Sequence, residues 1–297
     1  MSNLLNLADS VNEGFRSGKT PTFIYNDVTY SFSPDGLLAF IAANAALTPT
    51  NITGVTATVA EINDLDMSLK YVFTDDFIGT WAIGDAGPAD WWSTTAGSGA
   101  NTQVATTVAN SLNGEVTLKS SSADDTHAAN NSALTGINLG WKANTGGLAI
   151  EARLKIDAIT DVYLMVGFTD TISTTVECPI FMTAADLDSD AADACGVIFD
   201  TDATVDMFTV GGVKANTDVT PVVSALAPVA ATYITVRVEV SAAGAVTGYI
   251  DGVSIGSVAN AITATTALTP TIVIGNRGAA QRIATIDYIK VEQNRLA

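Results

Sequence analysis

The sequence predicts an all-β protein built as two packed antiparallel sheets, and three observations carry that reading. Ile234, Val236, Val238 and Val240 alternate with Thr235, Arg237 and Glu239, the period of two expected when one face of a strand lies in a core and the other in water. That strand runs into turns at Gly244 and at Asp251-Gly252, so Tyr233 to Ile255 writes two consecutive hairpins. Asp-Gly readily supplies the positive φ angles that a tight turn needs. Finally, 47% of the residues are hydrophobic and 15% charged, with Ala, Val, Thr, Gly and Ile prominent, a balance that favours sheets over helical bundles. At 297 residues the chain accommodates one large β-domain and an appendage.

Residues 1–70 read as the appendage. Thr22-Phe-Ile-Tyr and Val28-Thr-Tyr-Ser-Phe flank Asn26-Asp27 as a small hairpin carrying Phe23, Tyr25, Tyr30 and Phe32. Pro34 in Ser33-Pro34-Asp35-Gly36 suits a turn or a first helical position before an apolar helix from Leu37 to Leu47. Thr58 and Glu61 have capping-box spacing at the start of a second helix. Elements this small cannot bury a core alone, so the segment is expected to anchor or oligomerise, with Phe23, Tyr25, Tyr30 and Phe32 as its partner-binding residues.

Residues 71–297 read as strand after strand. Tyr71 to Phe77 opens the domain, and Gly114 to Lys119 follows a polar loop region. Leu148, Ile150, Ala152, Leu154 and Ile156 face inward against Glu151, Arg153 and Lys155, and Val162, Leu164, Val166 and Phe168 continue the inward series. Ala194 to Asp200 and Met207 to Val213 precede the double hairpin, and Thr271 to Gly275 and Ile286 to Val291 close the domain. Roughly ten or more strands with short turns require two sheets packed face to face.

The formal net charge is −18, from 31 acidic and 13 basic residues spread along the chain. Phosphate backbones and anionic membrane surfaces would be repelled, so neither nucleic acid nor membrane is an expected partner. The apolar run Leu37 to Ala43 is too short to span a bilayer, and the start lacks the basic head and apolar stretch of a secretory signal. Synthesis in a cytoplasm is therefore expected. Cys178 and Cys195 each adjoin a strand-like run and could face each other across neighbouring strands; in a cytoplasmic product, reduced and buried thiols are the commoner state.

The strand from Leu148 to Ile156, the strand ending near Phe168, the Val-Arg-Val-Glu-Val strand, the Tyr249-Ile-Asp-Gly-Val turn and the terminal Ile-Asp-Tyr-Ile-Lys-Val together resemble concanavalin A-like jelly rolls over residues 71–297. That resemblance implies that the first and last strands of the domain lie side by side. A narrower resemblance lies in Ile52-Thr-Gly-Val-Thr-Ala-Thr-Val-Ala-Glu-Ile-Asn63, which is similar to a phrase of tailed-bacteriophage head-decoration and fibre proteins, with Val59 and Ile62 departing from the commonest form. It implies a virion surface protein: a non-enzymatic capsid decoration or cement protein that binds the major capsid protein through residues 1–70 and assembles as a homotrimer. The alternative is a carbohydrate-binding module of a tail fibre or a lectin-like protein that takes a surface glycan.

Jelly rolls of this kind include laminarinase-like glycoside hydrolases, whose strand-borne Glu-x-Asp motifs stack carboxylates on one face so that acid and nucleophile sit about 5–5.5 Å apart. Glu151 and Glu239 lack a second carboxylate two residues along and read as outward charges pairing with Arg153 or Arg237. His127, the one histidine, follows Ser120, Ser121 and Ser122 without a Gly-x-Ser-x-Gly elbow and reads as a loop residue. Catalytic residues and cofactors are therefore not expected. Asp186, Asp188, Asp190, Asp193, Asp200 and Asp202 form an acidic run with no Lys or Arg between Lys155 and Lys214; it reads as a solvated loop, with calcium as the alternative. Trp81, Trp91, Trp92 and Trp141 have two readings, a sugar-stacking platform or closure of the sandwich end.

Overall fold

The computed structural model describes residues 22–25, 28–31, 70–77, 92–96, 103–107, 114–122, 131–136, 138–172 and 178–295. The chain divides into two units, Met1–Asp66 and Met67–Ala297. In the first, strands β1 (Thr22–Tyr25) and β2 (Val28–Ser31) pair antiparallel with Phe23 opposite Tyr30, which is the predicted hairpin. Phe32 and both expected helices lie outside the described residues.

The second unit contains β3 (Lys70–Asp75), β4 (Trp92–Ala96), β5 (Gln103–Thr107), β6 (Val116–Lys119), β7 (Ser132–Gly136), β8 (Leu148–Ile156) and β9 (Val162–Thr169). The short strands β10 (Phe181–Thr183) and β11 (Asp186–Asp188) follow, then β12 (Ala194–Asp200), β13 (Thr209–Lys214), β14 (Thr217–Asp218) and β15 (Val222–Val223). The unit ends with β16 (Ile234–Val240), β17 (Val246–Ile250), β18 (Val253–Val258), β19 (Thr269–Asn276) and β20 (Ile283–Asn294). One eight-stranded sheet runs β14-β13-β12-β9-β19-β7-β4 with β15 on β13, and the other runs β18-β17-β16-β8-β20-β6-β5 with β3 on β20. The strands named here all pair antiparallel, and the architecture is the jelly-roll sandwich expected from the sequence.

Alternation explains the core. On β8, Leu148, Ile150, Ala152, Leu154 and Ile156 point between the sheets, where they meet Val236, Val238 and Val240 of β16 and Leu164, Val166 and Phe168 of β9. The turn at Asp251-Gly252 takes φ values of 50° and 77°, as the hairpin reading requires. The domain's first and last strands are neighbours: Tyr71 stands opposite Gln293 and Phe73 opposite Val291.

Strand β9 departs from simple alternation, because all eight of its residues are buried. Its outward side chains Tyr163 and Met165 lie under a cover made by residues 178–191, with Cys178, Ile180, Phe181, Met182 and Leu187 packed onto them. The two cysteines accordingly do not face each other. Cys195 on β12 points into the core between the sheets, whereas Cys178 belongs to the cover. Both are free and buried.

Candidate functional site

Among the described residues, a feature suited to hold a ligand opens at the seam beside β3. The β3 alternation leaves Val72 and Thr74 exposed and turns Tyr71 and Phe73 toward the space between the sheets, where both are only partly buried. Phe73 rests against Trp92 of β4, with ring centroids 5.8 Å apart and planes tilted by 54°. Tyr71 rests against Trp141, with centroids 5.2 Å apart and a tilt of 52°. Tilted contacts at such separations are the arrangement aromatic quadrupoles favour. Together with Gly136, Asn138, Gly140, Pro270 and Gln293, these four rings line a cleft of about 260 Å³.

The loop that carries Trp141 is pinned by backbone bonds in both directions with Leu268, at 3.1 and 2.7 Å. The Gln293 carboxamide adds to this, accepting from the Lys142 N–H at 3.1 Å and donating to the Gly140 carbonyl at 3.4 Å. Further along β3, burial pushes the Asp75 carboxyl above its ordinary value, against the Phe77 N–H, which favours its charge. The Trp92 indole N–H makes no hydrogen bond among the described residues. A pinned aromatic wall with two carboxamides can stack on the face of a ring and bond its hydroxyls; the volume falls near the small end of ligand sites, which run roughly 300–1,000 Å³.

Trp92 and Trp141 are each only 7% exposed and also belong to the core, so closing the sandwich and lining the cleft are one role for these two residues. Trp81, Trp91 and His127 lie outside the described residues. Ser120 is buried and engaged, donating to the Ser121 carbonyl and accepting from the Arg282 N–H. Tyr71 and Phe73 were not singled out from the sequence as ligand contacts; their alternation with Val72 and Thr74 was the available signal.

Glu151 and Glu239 lie on the outer face of the other sheet, gathered around Arg237. This guanidinium reaches Glu292 at 2.6 Å, Glu239 at 2.8 Å and Glu151 at 3.5 Å. Tyr249 donates to Glu239 and Tyr288 to Glu151. The expected pairing with Arg237 is present. Arg153 instead meets Asp287 at 2.5 Å, because β20 is irregular between Ile286 and Tyr288 and Asp287 has no partner in the ladder with β8.

The acidic run does not converge. Asp186 and Asp188 are exposed on β11, while Asp193 accepts from the Thr263 N–H and the Thr266 hydroxyl. Asp200 is buried at the other end of β12, and no group of three or more potential ligands gathers for a metal among the described residues. The run lacks a basic neighbour in sequence but gains one in space: Arg277, at the end of β19, holds Asp200 through two bonds of 2.8 and 2.7 Å and lies 3.3 Å from Asp202. Arg277 also stacks over Tyr163 at 5.0 Å. The Asp200 carboxylate in turn accepts from the Met182 N–H at 3.0 Å, which fastens the cover to the sheet.

No protein-family model matches the chain, and no curated protein matches it. Among solved structures it is similar to a beta-glucanase of Bacillus licheniformis, at 14% identity and a TM-score of 0.49, over 74% of this chain and 97% of that one. It is likewise similar to a family 16 glycoside hydrolase endo-glucanase of Bacteroides ovatus, at 12% identity and 0.48, over 74% and 99%. A third is the carbohydrate recognition domain of Emp47p, at 10% identity and 0.48, over 78% and 99%. The expectation that the chain is not an enzyme is not upheld: glucanases are among the similar structures, and at 14% identity or less the likeness bears on the fold alone.

Proposed function

We propose that this chain is a carbohydrate-binding jelly roll whose site is the seam cleft beside β3. The observation that carries the reading is the pair of partly buried rings, Tyr71 and Phe73, each backed by a tryptophan and flanked by the Asn138 and Gln293 carboxamides. An aromatic face buries the apolar face of a sugar ring while carboxamides bond the hydroxyls at its edge. Because the tryptophans are already packed, little side-chain freedom is lost on binding.

The test is saturable binding of the full-length chain to a glycan array, with Tyr71→Ala and Phe73→Ala in parallel. Binding that disappears in both variants while their circular dichroism stays native is the expected result. Native binding that survives both substitutions overturns the assignment. Incubating a bound glucan with the chain and measuring reducing ends decides whether hydrolysis accompanies binding.

The Ile52 to Asn63 phrase favours a finer reading, in which the module is displayed on a virion. Residues 1–70 would then supply the foothold on a major capsid protein through Phe23, Tyr25, Tyr30 and Phe32, in a homotrimeric assembly. Co-sedimentation of the full-length chain with capsids that lack it, lost on alanine substitution of Phe23 and Tyr30, is the result this placement requires; no sedimentation of the full-length chain removes it.

A further inference from the structure

The mouth of the cleft carries a charge that its lining does not. Gln293 stands opposite Tyr71 in the β20–β3 ladder. Ile289 and Val291 on the same side of β20 are buried in the core, so this side faces inward and runs out of the sandwich at Gln293. Arg295 follows two residues further, directly after the last pair of that ladder, Asn294 with Lys70. Its positive charge is felt at the Tyr71 hydroxyl, where it works against the burial that raises the phenol.

Arg295 is exposed and makes no ion pair among the described residues. Arg153, Lys155, Arg237, Arg277, Arg282 and Lys290 all make one. In a chain with 31 acidic residues and a net charge of −18, an arginine left without a carboxylate beside an aromatic cleft is set apart from the other described arginines. A guanidinium presents a planar fork that matches a carboxylate through two parallel bonds. The overall negative charge does not forbid this, because exposed charges more than about 8 Å away are largely screened at physiological ionic strength.

We infer that the cleft takes an acidic sugar, a uronate or other carboxylated glycan, whose ring stacks on Tyr71 and Phe73 while its carboxylate meets Arg295. The inference rests on the carbohydrate-binding reading of the same cleft. It makes Arg295 a specificity residue at the mouth, with ring stacking supplied from within.

The full-length chain, Arg295→Gln and Tyr71→Ala are applied to an array bearing neutral, uronate, sialylated and sulfated glycans. Tyr71-dependent binding concentrated on carboxylated glycans is expected, weakened roughly tenfold or more in Arg295→Gln and progressively with added salt. A preference of the native chain for neutral or sulfated glycans overturns the inference, as does Arg295→Gln binding carboxylated glycans as tightly as the native chain. Both results leave the sugar cleft standing. Absence of Tyr71-dependent binding to every class overturns the carbohydrate reading itself.

Discussion

The outer face of the β12-β9-β19 sheet and the seam beside β3 are both lined with large side chains, yet one is fully buried and the other only partly. Over the first, residues 178–191 bury Tyr163, Met165 and Ile198 beneath Ile180, Phe181 and Met182, each large side chain contributing about 1.5–3 kcal/mol by its removal from water. The Arg277–Asp200 pair fastens that cover from beneath. At the seam, Tyr71 and Phe73 pack one side of their rings on tryptophans and remain only partly buried. The difference contrasts complete with partial burial: the covered face holds the sandwich, and the partly buried rings are those the proposed ligand would meet.

Breaking the cover should have the largest effect on stability. Arg277→Met leaves the Asp200 carboxylate buried without its cation, and urea unfolding should show a loss of about 3–5 kcal/mol. Glycan binding at the seam should persist in that variant wherever it remains folded; its loss in the folded variant would show that the two regions are coupled. Tyr163→Phe removes only the hydroxyl that donates to the Ile180 carbonyl at 2.7 Å, and about 1 kcal/mol should be lost.

The solvent-facing ladder around Arg237 gives a smaller effect with a defined sign. Burial raises the Glu292 carboxyl, but bonds from Arg237 and Lys290 outweigh it and leave the value lowered. A carboxylate whose folded value lies below its unfolded value of about 4.3 contributes its full stability above that unfolded value and loses it as pH falls through the folded one. Glu292→Gln should therefore flatten the acid limb of the stability curve by less than about 1 kcal/mol, and an unchanged limb would remove Glu292 from the account. The smallest effect belongs to the thiols. Burial pushes Cys178 up to about 12 and raises Cys195 as well, so a disulfide reagent at pH 8 should label neither in the native chain and both in denaturant.

Much of the sandwich was legible because each strand signals its own face. Ile234 to Val240 and Leu148 to Ile156 alternate as written, and the Asp251-Gly252 turn takes the backbone its residues favour. The second buried face of β9 had a signal too, since Val162-Tyr-Leu-Met-Val-Gly-Phe168 is a nearly continuous apolar run of the kind found when both faces are covered. The Arg277–Asp200 clamp had none, because its partners lie 77 residues apart. The cleft was half legible: Trp92 and Trp141 stand out by type, whereas Tyr71 meets Trp141, and Phe73 meets Trp92, only because β3 joins β20 at the end of the chain.

Isothermal titration of the full-length chain and Tyr71→Ala, using oligosaccharides drawn from the array's strongest binders, tests the seam cleft most directly. Saturable heat in the native chain that vanishes in Tyr71→Ala, with the two unfolding midpoints close together, is the predicted result. Equal heats from both proteins, or none from the native chain, would contradict the cleft as a carbohydrate site.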